Sequence, residues 1–229
     1  MRIVSWNCCR GGPGEKLALL DLFNYDIACI QECAEIENIP GKQFWVGDSP
    51  RLGVAVIARG EYCIEPIEEH PEVLPYFIPL RVAGPRNFLL FAVWSKNHKG
   101  AQYVRSVVRA IRLYYELMQG EESVIIGDLN TNAFWNDSHA KHENHSAMVA
   151  LIKELNLDSC YHRFLKEEHG EETKPTFYLT WKEDKPYHLD FCIAPESWMD
   201  EITEVTVPAY ESDWKRSDHR PLLVEFRQA

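Results

Sequence analysis

Short apolar runs, each stopped by an acid, an amide or a turn residue, recur from one end of this chain to the other. Ile27–Gln31, Phe44–Gly47, Val54–Ala58, Tyr76–Val82, Phe88–Trp94, Val124–Ile126, Phe177–Trp181, Leu189–Ile193, Glu204–Val207 and Leu222–Phe226 have the length and composition of strands. The opening residues through Trp6 read as a first strand. Helical periodicity is confined to three stretches. One runs from about Glu15 to Asn24, with Leu17, Leu20 and Phe23 inward. A second runs from about Ala101 to Met118, with Val104, Val107, Val108, Ile111, Tyr115 and Met118 as its apolar face and Gly120 as its stop. The third starts at a capping Asn144 and passes through Met148, Leu151, Ile152 and Leu155. That is too many strands for a simple Rossmann sheet. Two packed sheets with helices outside accommodate them.

At 229 residues and 45% hydrophobic, the chain fits one large α/β domain, 1–229, and no repeat, low-complexity stretch or flexible linker divides it. No apolar stretch approaches the length of a membrane span, and the first residues lack the apolar core of a signal peptide, so a cytoplasmic protein without membrane association is expected. The seven cysteines form no CxxC pair, and most lie in or beside apolar runs. That is the usage of buried thiols in a reducing compartment, and a zinc site on Cys8 or Cys9 lacks the usual ligand spacing. No protein partner is evident and a monomer is expected.

A net charge of −11 opposes tight nonspecific binding to duplex DNA, which depends on lysines and arginines displacing counterions. Arg105, Arg109 and Arg112 share one helical face, with Arg81, Arg86, Lys96 and Lys99 nearby in sequence. They read either as a solvated face or as a patch for a short or single-stranded substrate.

Chemistry concentrates where the apolar runs stop. Asn7 follows the first strand, Glu32 follows Ile27–Gln31, and Asp128 and Asn130 follow Ser123–Gly127. Strands that bury apolar side chains and end in oxygen ligands can converge those oxygens on one point. Phosphodiester hydrolysis needs that, because a hard divalent ion such as Mg²⁺, or Mn²⁺, takes few protein ligands, mostly carboxylate. Glu32 is the leading ligand candidate. Asp128 is placed to orient or deprotonate water, and the Asn130 amide to hold the water or a phosphate oxygen. An imidazole fixed by a carboxylate stays protonated and can stabilise a phosphoryl anion, which suits His219. Asp190, a costly charge within a strand-like run, is its expected partner, leaving Asp218 free for the metal.

Ser5-Trp6-Asn7, Ile30-Gln31-Glu32, Gly127-Asp128-Leu129-Asn130, His188-Leu189-Asp190-Phe191 and Ser217-Asp218-His219-Arg220-Pro221, in this order and spacing, resemble the endonuclease/exonuclease/phosphatase superfamily. Thr176-Phe177 also resembles the strand preceding that superfamily's Asp motif. The resemblance implies a four-layer α/β sandwich of two packed, mainly antiparallel mixed sheets flanked by helices. It implies Glu32 as principal metal ligand with Asn7 and Asp218 close by, Asp128 and Asn130 at the nucleophile and phosphate, and His219 oriented by Asp190. The chain departs from the abasic-site branch in two places. Trp94 stands where a Tyr is usual, so Asn97 or His98 is expected to serve the phosphate, and His188 stands where those enzymes carry Arg. Trp135 is either a stacking platform or a packing residue. Trp45 and Trp181 carry no assignment, and His139, His142 and His145 read as exposed residues of a loop and helix start. The expected substrate is nucleic acid or, alternatively, a small soluble phosphate ester. A binding module that has lost the chemistry is a third reading.

Overall fold

The computed structural model describes residues 1–11, 14–36, 41–67, 76–97 and 103–227. The first half contains β1 (Arg2–Asn7), α1 (Gly14–Asp21), β2 (Ile27–Cys33), β3 (Lys42–Ser49), β4 (Leu52–Ala58), β5 (Cys63–Pro66), β6 (Phe77–Ala83) and β7 (Phe88–Trp94). Then come α2 (Val104–Leu113), α3 (Tyr115–Gly120), β8 (Ser123–Asp128), α4 (His145–Glu154), β9 (Leu157–Ser159) and α5 (Cys160–Leu165). The chain closes with β10 (Phe177–Tyr178), β11 (Pro186–Tyr187), β12 (Asp190–Pro195), β13 (Ile202–Thr206) and β14 (Leu222–Phe226).

These strands form two six-stranded sheets, ordered β13-β14-β1-β2-β4-β3 and β5-β6-β7-β8-β12-β9, with β10 and β11 as a separate hairpin. The pairs β1–β2 and β7–β8 are parallel and the other ladders antiparallel, so each sheet is mixed. Strand alternation then divides the apolar residues into layers. Ile3, Cys29 and Val56 of one sheet meet Leu90, Ile126 and Cys192 of the other in a central core. The opposite faces carry the intervening residues: Val4, Ala28 and Ile57 pack with Leu20 of α1, and Leu89, Phe91 and Ile125 pack under α2, α3 and α4. Fully burying each large aliphatic or aromatic side chain stabilises by roughly 1.5–3 kcal/mol, so three cores secure four layers.

Local differences from the sequence expectation have local causes. The helix expected through Met118 breaks at Tyr114 into α2 and α3, and its first residues, 101–102, lie outside the described residues. The run Phe177–Trp181 is strand only to Tyr178, because Thr180 and Trp181 adopt left-handed φ values of 56° and 62° in a 3₁₀ turn. Strands β5, β9 and β11 and helix α5 are too short to announce themselves by periodicity. Asn144 does cap α4: its Oδ1 accepts from the Ala147 N–H at 2.9 Å, worth about 1 kcal/mol. Among the described residues no helix is long and apolar enough to cross a membrane, and all seven cysteines are free.

Candidate active site

The alternation that drives Ile3, Cys29, Ile126 and Cys192 into the slot between the sheets puts Ser5 and Asn7, Gln31, Asp128 and Asp190 on those same inner faces at the strand ends. Register aligns them further. Asn7 pairs with Gln31 across β1–β2, and Asp128 lies directly opposite Asp190 across β8–β12. Gly127, at φ 144°, makes this possible: a Cβ there would stand 1.9 Å from the Val93 carbonyl oxygen, so only glycine lets β8 run this close to β7.

By alternation alone Glu32 would face away from Asn7. It is instead the extra residue of a β-bulge, since Gln31 pairs with Val54 and Cys33 with Gly53, and its φ is 50°. Bulges re-aim side chains, and holding a non-glycine residue in this region costs roughly 1–2 kcal/mol. The turn brings Glu32 to the Asn7 amide, which donates to Glu32 Oε1 at 3.2 Å and to Asp128 Oδ2 at 2.9 Å. The Cys9 thiol lies beside Asp218. Burial, then the charge of Asp218, pushes that thiol up to about 11, with Glu32 adding in the same direction.

On the other side of Asp128, the Asn130 N–H donates to Oδ1 at 3.0 Å. Its amide donates to Oδ2 at 2.9 Å and to the Ser95 carbonyl at 2.8 Å. Both amide hydrogens are therefore engaged. The Asn130 carbonyl oxygen can still accept a hydrogen bond. His219 Nδ1 lies 2.8 Å from Asp190 Oδ2, as expected for that pairing. The loop carrying His219 is clamped: Trp6 Nε1 donates to its carbonyl, and Ser217 Oγ donates to the Asn7 carbonyl and accepts from the His219 N–H. Arg220, 1% exposed, donates to the carbonyls of Ser217 and Tyr210 at 2.9 Å each. Thr176 Oγ1 accepts from the Leu189 and Asp190 N–H groups.

The electrostatics follow from burial. Desolvation pushes the Asp128 carboxyl up to about 7 and the nearby charge of Asp190 adds to this, while His219 pulls the other way. Burial would lower His219, but the charges of Asp190 and Asp128 prevail and raise it to about 9. Asp190 Oδ1 is buried with no hydrogen-bond partner among the described residues.

Several expected substrate contacts sit elsewhere. Trp94 is buried in the central core, tilted against Tyr76 at 5.0 Å with Lys96 above it, and presents no face to a ligand. His188 is 1% exposed, its Nδ1 facing the Lys174 carbonyl and its ring centroid 4.2 Å from that of Tyr161. Arg105 and Arg109 both pair with Glu143, and Arg112 donates to the His142 carbonyl, so this face ties α2 to the start of α4. Arg81 pairs with Glu121, Arg86 with Glu201, and Lys96 with Asp48. Asn97 is exposed after β7, and His98 and Lys99 lie outside the described residues. Trp135 is half-buried against Tyr187 at 4.7 Å, and the more exposed aromatic beside it is Phe134. His139 and His142 lie toward solvent, but His145 is 1% exposed and faces inward, because the α4 cap turns its ring onto Phe191. Cys8 and Cys9 belong to no ligand cluster among the described residues.

Thr176, Ser217 and Arg220 lie within the motifs that carry the resemblance but were given no role there, and Cys9 was weighed only for a zinc site.

No family model matches the chain, and no curated protein matches it by sequence. Solved structures do match. The endonuclease domain of TRAS1, a telomere-specific non-LTR retrotransposon, superposes with a TM-score of 0.71 at 16% identity, covering 99% of this chain and 98% of that one. An AP endonuclease from Archaeoglobus fulgidus gives 0.69 at 19% identity and 99% of each chain. The 3′ phosphatase NExo from Neisseria, bound to a product DNA hairpin, gives 0.68 at 14% identity and 99% of each chain. At these identities the likeness is one of fold, and the fold is that of the endonuclease/exonuclease/phosphatase proteins.

Proposed function

We propose that this chain is a Mg²⁺-dependent phosphodiesterase whose substrate is DNA or a short oligonucleotide. The observation that carries this reading is the buried Asp190–His219 pair set beside Asp128 at the slot's end, with the Asn7 amide joining Asp128 to Glu32. The fold's solved neighbours include endonucleases and a phosphatase bound to DNA, which supports the substrate class. The all-oxygen donor set of Glu32, Asn7 and Asp218 suits a hard cation that keeps several waters, and these residues would hold the ion. When bound, it supplies Lewis-acid neutralisation of phosphoryl charge and of the departing oxygen.

In this reading the protein's own groups act around that point. A carboxyl raised to about 7 is matched to taking a proton from water near neutral pH, the task assigned to Asp128. Asn130 holds that carboxylate from two directions and offers its carbonyl to the water. His219 keeps its proton because Asp190 grips Nδ1, and its other nitrogen is left to donate to a phosphoryl oxygen as charge grows there. Seven free thiols fit a reducing compartment, so we place the protein in the cytoplasm, acting as a single-domain monomer.

Purified protein with Mg²⁺ or Mn²⁺ is to be offered supercoiled plasmid, single-stranded oligonucleotide, abasic duplex and bis-p-nitrophenyl phosphate. Metal-dependent cleavage of a nucleic acid is the expected result. The ion-paired state of Arg81, Arg86, Lys96, Arg105 and Arg109 favours a second reading, a small soluble phosphate ester as substrate. Turnover of bis-p-nitrophenyl phosphate without cleavage of any nucleic acid would select it.

A further inference from the structure

Away from the phosphoester site, four buried or half-buried imidazoles surround Phe191: His145, His162, His169 and His188. The carboxylate of Glu172 lies among them. We propose that His162, His169 and Glu172 form a second metal site, one that takes an ion of zinc chemistry and pins the segment after β9 to the strand ends carrying Asp128 and Asp190.

Each of the three residues offers a ligand atom, and these atoms lie within 4.8 Å of one another. The His162 and Glu172 side chains are only 6% and 4% exposed, with Nε2 of one 3.0 Å from Oε1 of the other. Zinc bonds of about 2.1 Å place tetrahedral ligand atoms roughly 3.4 Å apart, so His162 and Glu172, 3.0 Å apart, are already close enough, and any of the remaining separations, all within 4.8 Å, that exceed this have to shorten. The His169 ring, now stacked on His162 at 3.6 Å between centroids, has to swing toward Glu172. Two imidazoles and one carboxylate select zinc over Mg²⁺, which prefers oxygen alone.

The neighbouring groups already hold these side chains by hydrogen bonds. A metal-binding histidine is held through its other nitrogen, and Ser159 Oγ lies 2.7 Å from His162 Nδ1. His145 Nε2 lies 3.0 Å from His169 Nδ1, with Thr131 Oγ1 3.2 Å behind it, which leaves Nε2 of His169 for an ion. Gly170 N–H donates to Glu172 Oε1 at 2.9 Å and Asn132 Nδ2 to Oε2 at 3.0 Å. Asn132 also donates to the His188 carbonyl at 3.2 Å. Thr131 and Asn132 follow Asn130 directly, and His188 precedes Asp190 by two residues, so an ion here would brace both catalytic strand ends. Glu172, Gly170 and Asn132 also line an open cavity of about 670 Å³, a route for the ion and for a water completing its coordination.

The test uses metal-stripped full-length protein. Zn²⁺ is titrated in competition with a chromophoric chelator in the presence of excess Mg²⁺, and Co²⁺ is added separately as a spectroscopic probe. Wild type and Glu32→Gln are expected to take up one equivalent of Zn²⁺ that His169→Ala and Glu172→Gln lose. Ser159→Ala should keep it with about 10–100-fold weaker affinity. Co²⁺ on wild type should show tetrahedral d–d bands without a near-ultraviolet thiolate band, a readout independent of whether the variants fold. Equal uptake by wild type and His169→Ala overturns the proposal. So does a Co²⁺ spectrum without tetrahedral bands, or one with a thiolate band that places the ion on cysteine.

Discussion

His219 and His145 are both buried imidazoles bonded to a neighbour, yet the molecule drives them in opposite directions. Burial alone would lower His219, but the carboxylates of Asp190, Asp128 and Asp218 outweigh it and raise it to about 9. Around His145 burial comes first and is reinforced by His162 and His188, so it is lowered to about 4 despite Glu172. His169, beside it, falls to about 2 by burial and the charges of His162 and His145. One region favours the charged imidazole and the other the neutral one. Burial is common to both; the ratio of carboxylates to imidazoles decides the outcome.

The largest effects should separate the regions by activity. Glu32→Gln should abolish most Mg²⁺-supported turnover, and Asp128→Asn should lower kcat/KM by about 10²–10⁴-fold, both with cooperative unfolding retained. His219→Ala should lower kcat by roughly 10²–10³-fold with little change in KM, and Asp190→Asn should reproduce part of that loss. Steady-state kinetics at limiting and saturating Mg²⁺ check these values. Wild-type turnover in Glu32→Gln at limiting metal, or a wild-type pH profile in Asp190→Asn, would break the assignment. The histidine region should respond in stability instead. In metal-free buffer His162→Ala removes a donor to Glu172, at a cost of about 1–3 kcal/mol, with kcat within a few-fold of wild type. Denaturant unfolding beside kinetics decides it, and a kcat loss as deep as that of His219→Ala would erase the contrast.

The same contrast shows what could be read in advance. Strand ends were legible because period-two alternation fixes which face Asn7, Asp128 and Asp190 occupy once Ile3, Ile126 and Cys192 are buried. Pairing of His219 with Asp190 was legible because a charge inside a strand has to be met. The bulge was not: alternation assigns Glu32 the wrong face, and only its φ of 50° corrects that. Trp94 has the right parity for the slot, but its bulk fills the core against Tyr76. His188 precedes β12 and turns toward Lys174 before the strand begins. The histidine cluster draws on α4, α5 and the loop beyond it, and no periodicity links such positions. Of the three histidines close in sequence, only His145 takes part.

A smaller effect should appear in how stability depends on pH, measured without metal. From its ordinary 6.5, His219 is raised to about 9. Its stabilising contribution is therefore full below pH 6.5 and lost as pH rises through 9. His145 has the opposite sign. Lowered to about 4, it stays neutral where the unfolded chain is protonated, so stability falls as pH drops below 6.5. His219→Gln should flatten the alkaline limb and His145→Gln the acid limb in denaturant unfolding from pH 5 to 10. Exchange of the two effects between the variants would invert the comparison.

The smallest effect concerns the outer surface. Around the slot, charge is concentrated and directed; on the flanks, Arg81, Arg86, Lys96, Arg105 and Arg109 are each matched to an acid, within a chain of net charge −11. A side chain already paired with a carboxylate releases no counterion from DNA unless that pair is broken first. If about two phosphates are neutralised, affinity for long duplex should fall only about tenfold between 50 and 200 mM salt, against 10³–10⁵-fold for proteins making six to ten phosphate contacts. Duplex binding should then be weak at every salt concentration, and kcat/KM for short or single-stranded substrates should exceed that for long duplex at about 0.15 M. The measurement is kcat/KM for both substrate types across a salt series. A duplex slope several times steeper, with a preference for long duplex surviving at 0.15 M, would mean that the flank arginines exchange their acids for phosphates. The surface would then belong to the substrate site after all.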